Sequence, residues 1–194
     1  MILEGIVTTL NEDDSVNVAP MGPILDETMQ TLLLRPFQTS TTYHNLKRTS
    51  CGVLHVTDDV LLLARAAINA LDGVLETQPA NKIDGVVLAS ACRWYEFEVT
   101  SLDDTDERTR IECRIVHVGR LRDFFGFNRA KHAVIEAAIL ATRVHLLPAD
   151  EIRAEFDRLA APINKTAGPQ EREAFTLLSE FVDEHLQNAS ELRP

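Results

Sequence analysis

A strand followed by a short helix is encoded by residues 28–48, TMQTLLLRPFQTSTTYHNLKR. The apolar run reaches Arg35 and Pro36, and a strand is expected to stop there because proline cannot donate to a sheet ladder. Four consecutive hydroxyl residues then precede 43–48, a composition that favours capping of a helix start. The stretch therefore predicts one short helix directly after the third strand of a sheet.

Strand patterns occupy most of the remaining chain before residue 121. The first two flank a NEDDS turn, one over 2–10 and one from Val16, and Pro20 and Pro23 place the second strand at a sheet edge. The acidic turn DDTDE is expected to be solvated and nothing more. Further elements are predicted at four places, as strands over 52–57, 85–100 and 109–120 and a helix over 60–70. The 85–100 strand is expected to kink near Ala91 and Cys92, and residues 72–84 are expected to form a loop.

Helical periodicity follows from Asn128, where an Ala-rich amphipathic helix begins. Two more helices are predicted over 149–160 and 169–187, separated by PINKTAGP. The order of elements predicts an α+β fold. We expect a small, mostly antiparallel, Greek-key-like β-barrel over 1–125 and a helical C-terminal part over 126–194 that packs on the barrel.

Charge and composition argue against several classes of partner. The 194 residues include 19 Lys+Arg and 30 Asp+Glu, a formal net charge of −11, whereas nucleic acids and anionic membranes are bound by basic surfaces. No apolar run approaches the ~20 residues of a membrane span, and the acidic N-terminus is unlike a secretory signal. Three scattered cysteines and six histidines form no ligand motif. We therefore expect a cytoplasmic protein with no metal, no nucleic-acid partner and no membrane partner.

The first candidate site surrounds the start of the short helix. It combines a strand-end arginine with amide and hydroxyl side chains, namely Arg35, Gln38, Thr39, Ser40, Thr41 and Asn45. The open N–H groups of a helix start attract anions, and an arginine can bind a phosphate with its planar fork. Neither GxGxxG nor GxxxxGK[ST] occurs, which argues against a Rossmann dinucleotide site and a P-loop. Helix capping alone would also explain the hydroxyls, so both interpretations stay open.

The second candidate site is the proline-interrupted strand itself, formed by Asn17, Val18, Ala19, Pro20 and Met21. Such a strand leaves backbone N–H and C=O groups without a neighbouring strand, so they can meet the polar edge of a flat ring. The small residues allow close approach, and methionine offers a soft apolar contact. An irregular edge strand without any ligand is the alternative.

The third candidate site lies at the start of the Ala-rich helix. Asn128 is a favourable N-cap, and Arg129 and Lys131 place two cations at the positive end of the helix dipole. That arrangement is unfavourable unless an anion or an acidic partner lies beside it. The alternative is a solvated pair balanced by nearby Glu or Asp residues.

In chain order, the stretches VNVAPMG, LLLRPFQTSTTYHNL, GVLHVTDDV and FGFNRAKHAVIEAAILATR resemble an uncharacterised family of FMN-binding split-barrel proteins, distant relatives of flavin reductases and pyridoxamine-phosphate oxidases. The resemblance covers nearly the whole chain. It implies a split β-barrel and a homodimer that holds one FMN per subunit at its interface. It implies that the phosphate lies at Arg35 and 38–42 and the isoalloxazine against 17–21. We further expect Asn128, Arg129 and Lys131 to line this groove from the same or the partner subunit.

The resemblance implies no particular reaction, and three functions stay open. The first is an FMN-dependent oxidoreductase that passes hydride from a reduced donor to a small molecule, with the flavin supplying the chemistry. The second is a non-catalytic flavin-binding or sensing module that acts as a dimer. The third is a barrel that has lost the flavin and serves as a dimeric interaction protein.

Overall fold

Nine strands and five helices occupy residues 1–191, the part of the chain that this computed structural model describes. The last three residues of the predicted 126–194 part lie outside it. The strands are β1 Gly5–Leu10, β2 Val16–Met21, β3 Ile24–Leu25, β4 Thr31–Leu34, β5 Cys51–Val56, β6 Thr77–Pro79, β7 Val86–Leu88, β8 Arg93–Asp103 and β9 Arg110–Arg120. The helices are α1 Thr41–Thr49, α2 Val60–Ala67, α3 Arg129–Ala141, α4 Ala149–Thr166 and α5 Pro169–Glu191.

These elements group into two compact units. One unit contains residues 1–58 and 73–124, with all nine strands and α1. The other contains residues 59–72 and the chain from 125 onward, with α2, α3, α4 and α5. Helix α2 therefore belongs with the C-terminal helices, although we expected it inside the 1–125 part.

The main sheet of the first unit is antiparallel throughout and has the strand order β2-β1-β5-β8-β9-β4-β3. At its far end, Ile24 of β3 forms an antiparallel bridge with Ile2, and the Leu3 N–H donates to the Pro23 carbonyl at 3.1 Å. The sheet thus curls until its last strand meets the segment that precedes β1. This closure and the helices that follow confirm the predicted α+β split barrel with a helical C-terminal part.

The barrel is filled by apolar side chains from alternating strand positions and from α1. Tyr43 and Leu46 are the buried residues that α1 contributes. The strands supply Val7, Leu25, Leu32, Leu34, Leu54, Tyr95, Phe97, Ile111 and Cys113. Because one face of α1 is held in this core, the start of α1 has a fixed place beside β1 and β2.

Two segments differ from the sequence prediction. The expected long strand over 85–100 is divided into β7 and β8 by a turn at 89–90, close to the predicted kink. Strand β7 pairs with β6, which lies in the stretch over 72–84 that was predicted to be only loop. Helix α4 continues past residue 160 to Thr166 with Pro162 inside it. The buried positions Ile152, Phe156 and Ile163 keep helical spacing across the proline, so packing outweighs the lost backbone hydrogen bond.

The helical unit is built around the small residues of α3. Five of its alanines, Ala130, Ala133, Ala137, Ala138 and Ala141, are at most 3% exposed. None of the described helices is long and apolar enough to cross a membrane.

Candidate functional site

The start of α1 is capped but still offers donors. The Ser40 hydroxyl accepts a hydrogen bond from the Tyr43 N–H at 3.2 Å and donates to the Phe37 carbonyl at 2.8 Å. The N–H groups of Thr41 and Thr42 have no acceptor among the described residues. The first turn holds no acidic side chain. Ser40 is therefore the structural cap, and the two open N–H groups are the ones suited to an anion.

Arg35 follows β4 directly and is half-buried. Within residues 1–191, the structure gives its guanidinium no carboxylate and no hydrogen-bond acceptor. A half-buried guanidinium carries five N–H donors that need partners. The guanidinium of Arg35 is therefore free to bind an anion, and its role as a phosphate ligand stays a prediction.

The loop between β4 and α1 is bound to the tip of the β8–β9 hairpin. The Gln38 side-chain amide donates to the carbonyls of Asp104 at 2.7 Å and Asp106 at 2.9 Å. Thr109 donates to the Pro36 carbonyl from its N–H at 3.0 Å and from its hydroxyl at 2.8 Å. The donors of Gln38 are therefore committed to the hairpin, so Gln38 is suited to shaping the loop and not to contacting a phosphate.

The DDTDE turn binds α1 through the side chain of Asp104. Asp104 accepts hydrogen bonds from the Tyr43 hydroxyl at 2.6 Å and from the Lys47 ammonium at 2.7 Å. The bonds from Lys47 and Tyr43 hold the pKa of the Asp104 carboxyl below its usual value. The prediction of a merely solvated turn was wrong, because Asp104 connects the hairpin to α1 across 57 residues.

Strand β2 lies at the edge of the sheet, and the position of its proline indicates which backbone groups face outward. Pro20 lies opposite Ile6 in the β1–β2 ladder, and Val18 lies opposite Thr8. Since Pro20 has no N–H to give to β1, it occupies a non-hydrogen-bonded pair, and antiparallel alternation then gives Val18 the same orientation. The N–H and C=O of Val18 and the C=O of Pro20 therefore face away from β1.

A buried amide network joins this edge strand to α1. Nδ2 of Asn17 donates to Oγ1 of Thr42 at 3.0 Å and to Oγ1 of Thr9 at 3.1 Å. Nδ2 of Asn45 donates to the same Thr9 oxygen at 3.0 Å and to Oδ1 of Asn11 at 2.8 Å. The structure thus brings the first two candidate sites together. In this network Asn17 and Asn45 act as connectors, since their N–H groups are used inside the protein.

The third candidate site lies in the helical unit. Asn128 caps α3 as predicted, because its Oδ1 accepts from the N–H of Ala130 at 2.8 Å and of Lys131 at 3.1 Å. Lys131 forms an ion pair with Glu171 at 2.8 Å, and the two side chains are 12% and 9% exposed. Burial alone would raise the pKa of Glu171, but its bonds from Lys131 and the Gly168 N–H lower it. Glu171 is thus the acidic partner that compensates the charge of Lys131 at the positive end of the helix dipole.

Arg129 differs from Lys131 in this respect. It is exposed, and the structure shows no partner for its guanidinium among the described residues. Its charge is available for a ligand, whereas that of Lys131 is neutralised internally. Whether Asn128, Arg129 and Lys131 line a cofactor groove stays a prediction.

Two contributors were missed by the sequence reasoning. Thr9 is a buried residue of β1 whose hydroxyl oxygen accepts hydrogen bonds from both side-chain amides of the network. Its only signal in the sequence was that it is one of two adjacent threonines in a mostly apolar strand. Arg108 follows the acidic turn, and its Nε donates to the Arg35 carbonyl at 3.1 Å. In the described part of the chain, no group of three or more His, Cys, Asp or Glu side chains could hold a metal ion.

Comparisons with known proteins agree with this architecture. An FMN-bound protein from Methanosarcina mazei, assigned to the family DUF447, has a TM-score of 0.79 and 25% identity over 93% of this chain and 94% of that one. The 2-nitrobenzoate 2-nitroreductase from Pseudomonas fluorescens shares the fold with a TM-score of 0.51 and 17% identity, over 60% of this chain and 64% of its own. Flavoredoxin of Desulfovibrio vulgaris shares it with a TM-score of 0.52 and 11% identity, over 61% and 69%. A search of curated proteins gives no match.

Two family models cover most of the sequence. The N-terminal domain of the protein of unknown function DUF447 matches residues 3–122. The companion model of DUF447 matches residues 128–180. The predicted resemblance to an uncharacterised family is confirmed, and the chain belongs to the family of proteins of unknown function DUF447.

Proposed function

We propose that this protein binds FMN, with the phosphate at Arg35 and the start of α1 and the isoalloxazine along β2. The observation that carries the proposal is the 3.0 Å hydrogen bond between Asn17 of β2 and Thr42 of α1. It holds an anion-binding helix start beside an edge strand with open backbone groups. FMN has a phosphate at one end, which suits the helix start, and a flat ring with a polar edge at the other, which suits the edge strand. The FMN-bound relative from M. mazei supports the same cofactor.

The donor set fits a phosphate monoester. Arg35 offers a planar fork, and the Thr41 and Thr42 N–H groups offer two helix-start donors. Thr39 and Thr41 are exposed and can add hydroxyl donors, while Ser40 keeps the helix capped. Charge-assisted hydrogen bonds of this kind contribute on the order of 1.5–3 kcal/mol each.

The edge of β2 fits the ring. The pyrimidine edge of an isoalloxazine alternates acceptor, donor and acceptor, and the outward N–H and C=O of Val18 can pair with one ring acceptor and with the ring donor. Ala19 has a methyl side chain, and Met21 can contact a ring face. Asn17 contributes by holding this strand at its distance from α1.

We infer that the function is that of a flavin-dependent oxidoreductase acting on a small molecule. Bound FMN would supply the hydride chemistry, and the chain would bind, orient and shield it. We propose that Arg129, which is exposed and has no partner among the described residues, faces the flavin or its substrate from the same or the partner subunit. The proposal includes a homodimer with FMN at its interface, supported by the exposed apolar side chains of Phe124, Phe125 and Phe127, which are 47%, 74% and 95% exposed.

Binding of FMN and riboflavin tests the phosphate assignment. The native protein should bind FMN much more tightly than riboflavin, which lacks the phosphate. Loss of one charge-assisted contact in Arg35→Gln should weaken FMN binding by ~30–150-fold, equivalent to about 2–3 kcal/mol, and leave riboflavin binding unchanged. Arg110→Gln, which removes an exposed arginine of β9, is the matched control. Equal native affinities for FMN and riboflavin would contradict the assignment.

Anaerobic titration with NADH and NADPH tests the reaction class. Loss of the flavin absorbance near 450 nm would support an oxidoreductase. Retention of that absorbance with both donors would favour the alternative, a non-catalytic flavin-binding module. A native protein that takes up no flavin at all would exclude both functions.

Sedimentation velocity of the FMN-loaded protein tests the dimer. A stable dimer of this kind should bury above ~1,600 Å² in total and persist at micromolar concentration. A folded, flavin-loaded monomer at that concentration would refute the shared groove.

A further inference from the structure

We propose that Arg108 is a second phosphate-binding residue and that, with Arg35, it selects a terminal dianionic phosphate. This inference rests on the proposed function and extends it to ligand specificity. It assigns to the β8–β9 hairpin a binding role beside its structural one. The ligand class is a flavin monophosphate, as distinct from a flavin without phosphate or one whose phosphates are internal to a dinucleotide.

Three contacts hold Arg108 against the loop that follows β4. Its Nε donates to the Arg35 carbonyl at 3.1 Å. Its guanidinium carbon lies 5.2 Å from the centroid of the Phe37 ring, in a cation–π arrangement. Its backbone forms an antiparallel bridge with Phe37. These contacts use Nε and one face of the guanidinium, so the four N–H groups on its two Nη atoms are left for a ligand.

The hairpin that carries Arg108 is fixed at this place. Gln38 donates to two carbonyls of the turn, and the Gln38 N–H donates to the Glu107 carbonyl at 2.9 Å. On the other side of Arg108, Thr109 is fully buried and donates to Pro36. Arg108 is therefore bracketed by hydrogen bonds on both sides, which lowers the entropy lost when it binds a ligand.

The absence of acidic partners argues for an anion bound by these arginines. Within residues 1–191, neither Arg35 nor Arg108 has a carboxylate partner, although the chain carries a net charge of −11. In the acidic turn before Arg108, Asp104 binds Lys47 and Asp103 accepts from Thr105. The structure shows no ion pair between the other two carboxylates of that turn, Asp106 and Glu107, and either arginine. The Arg108 side chain contacts the backbone of Arg35, so two guanidinium groups without acidic partners belong to residues in direct contact. Their combined charge matches a phosphate monoester, which carries close to two negative charges at neutral pH.

Two arginines at the phosphate site would also select among flavins. A terminal phosphate presents three free oxygens, enough to accept from both arginines and from the start of α1. A phosphate inside a dinucleotide has two free oxygens and about one negative charge. We therefore expect preference for FMN over FAD as well as over riboflavin.

Binding of FMN, FAD and riboflavin to Arg108→Gln is the test, measured by titration calorimetry. We expect FMN affinity to fall by about 10- to 50-fold, riboflavin affinity to stay within about twofold, and the preference for FMN over FAD to shrink. Arg110→Gln, two residues along the same hairpin with the same charge, should change FMN affinity by less than about twofold. Arg108→Lys should recover part of the loss, because a point charge replaces the fork.

The pH dependence provides a readout that a purely structural role would not move. The second ionisation of a phosphate monoester lies near pH 6. Native affinity for FMN should therefore fall as the pH is lowered from 7.5 to 5.5, and the fall should be smaller in Arg108→Gln.

Three outcomes would overturn the inference. Equal losses of FMN and riboflavin affinity in Arg108→Gln would mean that Arg108 only packs on Phe37. Unchanged FMN affinity in Arg108→Gln, with a loss in Arg35→Gln, would refute the role of Arg108 and leave the proposed function standing. Absence of FMN binding by the native protein would refute both.

Discussion

Acid should destabilise this fold through His55, a fully buried histidine of β5. The Leu88 N–H donates to its Nε2 at 3.1 Å, so the ring proton lies on Nδ1, which is 3.1 Å from the Ile6 carbonyl. Both nitrogens are thereby used in the neutral state. A second proton would break the bond to Leu88 and bury a positive charge. Burial accordingly lowers the pKa of His55 from 6.5 to about 4.

The magnitude follows from this difference between the folded and unfolded chains. In the unfolded chain His55 takes up a proton near pH 6.5, whereas in the folded chain it does so near pH 4. The stabilisation is therefore complete above pH 6.5 and is lost as the pH falls from 6.5 to 4. At 1.36 kcal/mol per pKa unit the whole effect is about 3 kcal/mol, of which about 2 kcal/mol is lost between pH 7.5 and 5. Domains of this size are stable by only ~5–15 kcal/mol.

Urea unfolding followed by the fluorescence of the only tryptophan, Trp94, measures this effect. Between pH 7.5 and 5 the free energy of unfolding of the native protein should fall by about 2 kcal/mol. His55→Gln should be less stable at pH 7.5 but should lose less than about 0.5 kcal/mol over the same range. His145→Gln, which replaces an exposed histidine, should keep the native slope. Parallel slopes for the native protein and His55→Gln would refute the reasoning.

Three further perturbations have defined outcomes. Glu96→Gln should lower the free energy of unfolding by about 2–3 kcal/mol in urea titrations, because the buried carboxylate accepts hydrogen bonds from two backbone N–H groups and an indole N–H. The control Glu98→Gln, which removes one partner of an exposed ion pair, should change it by less than about 1 kcal/mol. Gly119→Ala should lower the thermal unfolding midpoint by several degrees, since the new Cβ would lie 2.0 Å from the tryptophan ring. Arg129→Gln should lower the reduction potential of bound FMN by up to ~70 mV in spectroelectrochemical titration, because removal of a cation disfavours the reduced cofactor, which gains negative charge. If Arg129→Gln and the control Arg143→Gln both keep the native potential, Arg129 does not face the flavin.

The class of the fold and the edge strand could be predicted because local patterns carry them. Alternating apolar residues predicted the antiparallel strands, and Pro20 predicted an edge. Hydroxyl residues predicted the start of α1, and Ser40 is indeed its cap. The pairing of β6 with β7 was missed, because β6 is a three-residue exposed strand with no apolar signal of its own.

The use of individual donors could not be predicted, because it depends on distant parts of the chain. Gln38 was a phosphate candidate by its position, yet its amide binds carbonyls 66 and 68 residues away. Lys131 needed an anion, and the sequence could not show that Glu171, one of many acidic residues, lies 2.8 Å from it. Arg108 was hidden for the same reason, since its contact with the Arg35 carbonyl spans 73 residues.

The proline in β2 has a consequence for how copies of this protein meet. An edge with open N–H and C=O groups is a template on which another chain can add a strand, and this is a common first step of aggregation. Pro20 removes one donor from that edge, which leaves an incomplete ladder for an incoming strand. A planar ligand that needs only a few backbone groups meets no such obstacle. The same residue can thus protect the flavin-free protein from strand addition while it leaves the edge open to the cofactor.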